Sequence, residues 1–473
     1  MSVDELTRLT LCDVAARIKR RELSAVTVTE AVLERIHRLN PQLNAFITVM
    51  NDEAMDAARV AEAEITKGDY RGPLHGVPIS LKDLLYTRGT RTTAGSRILM
   101  DFVPDRDATA VQRLRAAGAV LVGKTNMLEF AYGEVHPDYG PALNPWNTGY
   151  GTSGSSSGSG ASVAAGLDYG SLGSDTGGSI RFPAAYCGIV GLKPTYGLVS
   201  RAGAVPLAWS LDHVGPMTRT VRDCAILLQA VAGYDPADPA SARVSVSNYA
   251  NGLDDIPQDA VIGVVEPTDD DGVTGDVRRA TEVAVDALGG LGFRMKRVAL
   301  PHPVQTARAI LALMYAEAST YHASWLRTRP DDYSPNTRER LQLGTLLPAT
   351  LVVRASRVRQ VIVDAYRDLF RQIDILVTPT SPFASYRIED APAEPVRDSG
   401  DRMMSLVRFT GPFNATGQPA ITIPCGLTED GLPIGVQLVG RPFAELNLLQ
   451  VAHALEHELT SSVSRNPDNL LLV

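Results

Sequence analysis

Glycine and serine crowd together in Gly154-Ser-Ser-Ser-Gly-Ser-Gly160 and again in Leu172-Gly-Ser-Asp-Thr-Gly-Gly-Ser-Ile-Arg-Phe-Pro183. Such a stretch is either a solvated linker or a tightly folded site. Glycine lets backbone N–H groups turn toward a bound oxygen with no Cβ in the way, and Gly177-Gly178 stands immediately before Ser179. The flanks decide against a linker. Ala161-Ser-Val-Ala-Ala-Gly-Leu167 is small and apolar, as suits a helix packed closely against a neighbour, and the run from Ile180 to Pro194 is again dense in apolar residues. Both sides of the cluster read as buried, and a hydroxyl nucleophile is the first chemistry they suggest.

Composition narrows the classes. At 44% hydrophobic and 21% charged residues, a chain of 473 residues has the apolar content for a large core. The net charge is −8 and the one basic trio, Lys19-Arg20-Arg21, is what a solvated helix end carries, so no nucleic-acid partner is expected. Cys12, Cys187, Cys224 and Cys425 are far apart and form no C-x-x-C pair, which argues for neither a zinc site nor a disulfide framework. The start, Met1-Ser-Val-Asp-Glu-Leu-Thr-Arg8, is charged where a secretory segment is apolar, and no run reaches membrane-span length. A cytoplasmic protein without a membrane partner is expected.

Along the chain, residues 4–66 read as helices, with Ser24, Thr27 and Thr29 ahead of the segment Glu30 to Leu39, which Pro41 is expected to end. A second helical run spans Asp52 to Lys67. At Gly76-Val-Pro-Ile-Ser-Leu-Lys82-Asp83 the pattern shortens to that of a buried strand. A helix capped near Asp107 then feeds a strand at 119–126, and Val261-Ile-Gly-Val-Val265 is another strand. Gly123-Lys124-Thr125 lacks the upstream glycine of a phosphate loop. Helices are expected at 277–291, 304–327 and 351–371, a loop at 269–275, strands at 374–380, 420–425 and 435–440, and a closing helix at 447–459. This alternation predicts an α/β fold: one large domain, a central mixed sheet and helices on both faces.

Ser155 and Ser179 are 24 residues apart, and with the Asp-x-Gly-Gly-Ser-Ile-Arg-x-Pro run they make the chain resemble the amidase signature family. Ser153 and Ser157 stand where that family commonly has glycine. The resemblance is close over residues 65–230 and looser over 360–460. It implies an N-terminal helical layer (1–66), a signature core (67–235), a variable helical region (240–360) and C-terminal strands with a closing helix (361–460). Read alone, Lys82 is a solvated charge. The resemblance of Pro78-Ile-Ser-Leu-Lys-Asp83 to the family's lysine segment instead implies a Ser-Ser-Lys relay: Ser179 attacks, Ser155 passes the proton, Lys82 receives it.

That relay needs an uncharged Lys82, a preference of about 3 to 4 kcal/mol that burial can supply. The N–H groups of Thr176, Gly177, Gly178 and Ser179 are the expected oxyanion donors, and the family implies a cis Gly154–Ser155 bond. Asp175 and Arg181 read as an ion pair holding the loop. No Ser-His-Asp set is apparent: His75, His136, His213 and His302 are scattered, and Gly154-Ser-Ser-Ser-Gly158 follows no strand.

Tyr132, Phe182 and Trp209 lie in segments that border the pocket in relatives, and are either contacts for an aromatic or apolar acyl group or plain core. Two functions compete. One is a stand-alone amidohydrolase acting with water on a small carboxamide, anilide, acyl hydrazide or carbamate. The other is the glutaminase (A) subunit of a tRNA-dependent amidotransferase, which commonly has glutamine where Phe182 and His213 stand here; both departures favour the hydrolase. No metal or organic cofactor is implied. The apolar tail Leu470-Leu-Leu-Val473 offers a surface for a homodimer.

Overall fold

The helix expected behind Ser24 starts there: it spans Ala25–Leu43, and the Ser24 hydroxyl accepts from the Thr27 N–H at 3.2 Å. It does not stop at Pro41. Asn40 accepts the Phe46 N–H through its side chain at 2.8 Å, and left-handed Asn44 donates its N–H to the Asn40 carbonyl at 2.8 Å, so the last turn is held around the proline. The residues just beyond form a short strand, Phe46–Val49, that periodicity could not reveal, because its partner lies far along the chain. The computed structural model describes residues 1–265, 272–390 and 400–462; part of the 269–275 loop and the 470–473 tail fall outside them.

One sheet organises the described residues. Its strands are β1 (Phe46–Val49), β2 (Pro78–Lys82), β3 (Val120–Thr125), β4 (Ser171–Asp175), β5 (Val190–Lys193), β6 (His213–Thr218), β7 (Val261–Val265), β8 (Arg294–Val298), β9 (Ile375–Pro379), β10 (Ala420–Leu427) and β11 (Pro433–Gly440). Their order is β1-β3-β2-β4-β6-β5-β10-β11-β9-β7-β8. β2 runs parallel to β3 and β4, β7 runs parallel to β8 and β9, and antiparallel pairs join the two sets. Every residue of β2 to β6 is buried, as strands covered on both faces require. On β11, Gly435 faces Ala185 of the helix Arg181–Cys187 while Gly440 faces Leu448 of the helix Glu445–Ser462. Strand alternation puts those two positions, and hence the two helices, on opposite faces.

Two further sequence expectations shift. Asp107 does not cap the helix that begins at Thr109; its carboxylate accepts the Arg88 N–H at 2.7 Å, and Ala108 takes the cap position. The helix expected after the first Gly/Ser cluster lies partly within it, at Ser157–Ala164. A helix at Pro335–Thr345 and the edge strand β8 were not legible, the latter because Arg294, Lys296 and Arg297 break any apolar alternation.

The Ser157–Ala164 helix shows why the cluster is so rich in glycine. A Cβ on Gly158 would lie 2.3 Å from the Ala45 carbonyl oxygen and 2.4 Å from the Asn126 nitrogen, both backbone atoms. The Gly158 N–H donates to the Asn126 carbonyl at 2.9 Å, so the approach is a hydrogen-bonded contact and cannot widen without loss. Gly158→Ala should therefore cost about 1–3 kcal/mol of overpacking, read as a lowered urea midpoint at unchanged slope.

Candidate active site

β2 and β4 are parallel neighbours, so their carboxyl ends point the same way, and the loops beyond them share one crevice. Lys82 is the last residue of β2 and Ser174 the last but one of β4. Both reach the same place. The Lys82 Nζ donates to the Ser155 Oγ at 2.7 Å and to the Ser174 Oγ at 2.9 Å. Lys82 has 0% exposure and Ser155 1%. Burial pushes the lysine down to about 7, against the pull of the Asp175 and Asp212 carboxylates. The solvated charge that composition suggested is thus not what the fold makes of Lys82.

Backbone contacts bring the two Gly/Ser segments together. The Ser156 N–H donates to the Ser179 carbonyl at 3.2 Å, and the Ser156 hydroxyl donates to the Ser174 carbonyl at 3.2 Å. Ser156, the centre of the Gly-x-Ser-x-Gly spelling, is therefore a splint between segments. The Gly154–Ser155 bond is cis. Ser155 and Ser179 line the same cavity.

Asp175 shapes the loop between β4 and the next helix. Its carboxylate accepts from the Gly178 N–H at 2.8 Å, the Ile180 N–H at 3.1 Å, the Arg181 Nε at 2.9 Å and Nη2 at 2.8 Å, and the Asn414 Nδ2 at 2.9 Å. Burial alone would raise this carboxyl, but the Arg181 guanidinium and the Asn414 amide hold it well below the usual carboxylate range. Arg181, also at 0% exposure, spends its other N–H groups on the Thr410 carbonyl (2.9 Å), the Gln437 Oε1 (2.7 Å) and the Asn414 Oδ1 (2.7 Å).

The expected set of four oxyanion amides is thereby narrowed. The Gly178 N–H is turned onto Asp175, whereas the N–H groups of Thr176, Gly177 and Ser179 make no hydrogen bond among the described residues. Gly178 adopts φ +137°, and a Cβ there would fall 2.3 Å from the Phe182 ring, so only glycine fits.

The cavity has a volume of about 480 Å³. Tyr132 and Phe182, both buried, line it, while Trp209 does not: it is 46% exposed and borders a separate cavity. Met314 and Val407 stand opposite Gly177. Glu134, Asn336 and Arg340 supply the polar part of the wall, with Arg340 over the Tyr132 ring at 5.6 Å. Sequence reading missed Ser174, Asn336 and Arg340, and also Asn414 and Gln437, which arrive from segments more than two hundred residues beyond the loop they hold. The dipeptide Ser174-Asp175 inside the cluster was the one available signal.

Lys124, the lysine of the Gly-Lys-Thr spelling, is no phosphate ligand. It has 0% exposure in β3, paired with Asp83 at 3.2 Å and donating to the Leu85 carbonyl and the Thr92 hydroxyl.

The amidase family model matches residues 27–449. The chain belongs to the amidase signature family. The A subunit of the glutamyl-tRNA(Gln) amidotransferase of Geobacter metallireducens is 40% identical to this amidase over 478 residues, 96% of this chain and 97% of that one. A chain from a vestigial protein complex bearing on the origins of an s-triazine catabolic enzyme superposes with a TM-score of 0.89 at 35% identity, covering 95% of this chain and 98% of that one. The peptide amidase of Stenotrophomonas maltophilia gives 0.84 at 32% identity, covering 98% and 99%. This amidase is a hydrolase of carbon–nitrogen bonds built on the amidase signature fold. Removing Arg181 leaves the Asp175 carboxylate buried without its cation, so Arg181→Met should cost about 3–5 kcal/mol, measured by urea unfolding.

Proposed function

We propose that this amidase cleaves a linear amide by acyl transfer to Ser179, with Ser155 as proton relay and Lys82 as base. The observation that carries the reading is the Lys82 amine, shut off from water, 2.7 Å from the Ser155 hydroxyl and brought down to about 7. An amine that sheds its proton near neutrality can draw one from Ser155, which draws one from Ser179 as its Oγ bonds the carbonyl carbon. The C–N bond then breaks as Ser155 returns a proton to the nitrogen, so the leaving group departs as a neutral amine. Water repeats the sequence on the acyl-enzyme. The N–H groups left free in this loop, those of Thr176, Gly177 and Ser179, supply the donors for the developing oxyanion, a contribution of about 10²–10³ in rate per donor. The Ser174 hydroxyl accepts a second Lys82 N–H and fixes the amine's direction.

The acyl side of the pocket favours an apolar group. Phe182, Met314 and Val407 surround the Gly177 loop, and none of them offers a handle to the α-amino and α-carboxylate groups of glutamine. These apolar residues are what supports a stand-alone hydrolase of aryl or other apolar amides.

A glutaminase subunit that passes ammonia to a partner is the second reading. It is favoured by the end-to-end match to the A subunit of the Geobacter metallireducens amidotransferase, and by Glu134 and Arg340, which place opposite charges on the pocket wall. Purified chain incubated alone with glutamine, a simple anilide and an aryl hydrazide separates the two. Turnover of the aryl substrates supports the hydrolase, whereas turnover of glutamine and neither aryl substrate supports the glutaminase.

Two further outcomes are expected. Because the base works deprotonated and Lys82 sits at about 7, kcat/KM should fall tenfold per unit below about pH 7 and level off above it; an inflection above about pH 9 would contradict a buried amine. Lys82→Met, nearly equal in volume, should fold normally and lose at least about 10⁴ in kcat.

A further inference from the structure

The loop that carries Ser179 is gripped from several sides. Asp175 takes the Gly178 and Ile180 amides at its far end, and the Thr410 hydroxyl donates to the Gly177 carbonyl at 2.6 Å. Thr176, the first residue beyond β4, is held differently. Its N–H is free among the described residues, and its side chain is tied by the hydroxyl, which donates to the Asp212 Oδ1 at 2.6 Å.

Asp212 is fixed in turn. Its carboxylate accepts the amides of Leu207 at 3.0 Å and Ala208 at 3.1 Å, and its own N–H donates to the Ala208 carbonyl at 2.8 Å, so residues 207–212 close on themselves around it. That turn is pinned from outside at Ser210. Glu317 accepts the Ser210 N–H at 2.9 Å and its hydroxyl at 2.5 Å, and Arg359 donates to its carbonyl at 3.0 Å. These two side chains come from the long helices Pro303–Thr328 and Ala349–Leu369.

The Thr176–Asp212 contact is short and charge-assisted, and a hydrogen bond to a carboxylate is roughly twice as strong as one between neutral groups. Its effect falls on the neighbours of Ser179. Thr176 and Gly177 are consecutive, and both of their N–H groups are free. The direction of those groups depends on the backbone angles of Thr176, and the side-chain rotation of a β-branched residue is coupled to its backbone. Tying the hydroxyl therefore restricts the amides.

We propose that Asp212 is a positioning residue for the reaction: through the Thr176 hydroxyl it fixes the near end of the loop, so that the Thr176 and Gly177 N–H groups meet the oxyanion. The inference rests on the relay reading above and deepens it. Asp175 holds the far end of the same loop, so a carboxylate braces the donors from each side. Glu317 and Arg359 carry the nearer brace out into the helices of the 240–360 region.

The test uses the full chain and phenylmethylsulfonyl fluoride, which transfers its sulfonyl group to an activated serine whatever the amide substrate. The Ser179 Oγ–sulfur bond forms, the S–F bond breaks, fluoride leaves, and the hydroxyl proton passes through Ser155 to Lys82. A sulfonyl oxygen takes the place of the oxyanion. The rate is read from the mass gained by the intact chain, with peptide mapping to Ser179. Thr176→Val, equal in shape and without the hydroxyl, and Asp212→Ala should each slow the modification by about 10- to 100-fold. The double variant should be no slower than the slower single one, because both changes break the same contact. Thr176→Ser keeps the hydroxyl and should react as the unaltered chain does. Circular dichroism on the same samples keeps unfolded chain out of the rates, and if Asp212→Ala does not fold, Thr176→Val and Thr176→Ser decide by themselves. Unaltered rates in either single variant, a loss in Thr176→Ser equal to that in Thr176→Val, or losses that multiply in the double variant would overturn the proposal. An unaltered chain that is not modified at Ser179 would instead fault the relay reading itself, a result distinct from equal modification of every variant.

Discussion

An ammonium group with no access to water is so poorly stabilised that the neutral amine becomes competitive near neutral pH. The chemistry proposed for this protein depends on that fact. Lys82 ends a strand whose every residue is buried, and its contacts are two hydroxyls rather than a carboxylate. Had Asp175 or Asp212 paired with it directly, the ion pair would have kept the proton in place. Both stand near enough to moderate the shift and both are occupied elsewhere, Asp175 with Arg181 and Asp212 with Thr176. Lys124, one strand over and equally buried, differs in having a carboxylate partner, Asp83 at 3.2 Å.

The loop carrying Ser179 is fixed with comparable economy. One carboxylate, Asp175, gathers two backbone amides, a guanidinium and a side-chain amide, and in doing so decides which N–H groups of the loop stay available. Its cation is anchored by Thr410, Asn414 and Gln437, so the C-terminal segments act as the rigid backing of a site assembled mainly by residues 82–182. Around this loop Phe182, Met314 and Val407 form an apolar wall, and Glu134, Asn336 and Arg340 line the polar part of the same cavity.

Much of this was legible from the residues. The Gly/Ser crowding marked a close backbone approach, and Gly158 and Gly178 show two such approaches in atomic terms. The long helices at 303–328 and 349–369 and the strands at 261–265 and 375–379 fell within a few residues of expectation, because period and apolar run length are local properties. What failed was decided at a distance. β1 exists because β3 offers it an edge, the helix survives Pro41 because Asn40 and Asn44 hold its end, and Asp107 was drawn from its cap by the Arg88 amide. Trp209, grouped with Tyr132 and Phe182 by likeness to relatives, faces a different space, since loop direction after residue 200 is a tertiary outcome.

The sequence by itself determined the α/β class, the places where only glycine fits, and the pair of serines with a lysine at the end of an apolar strand, since side-chain size, backbone freedom and hydrophobic period are carried residue by residue. Only the tertiary structure decided that Lys82 is cut off from water, that the Gly178 amide is consumed by Asp175, and that Trp209 borders a different cavity from Tyr132 and Phe182. Desolvation and hydrogen-bond allocation depend on every neighbour at once, and those neighbours come from parts of the chain hundreds of residues apart.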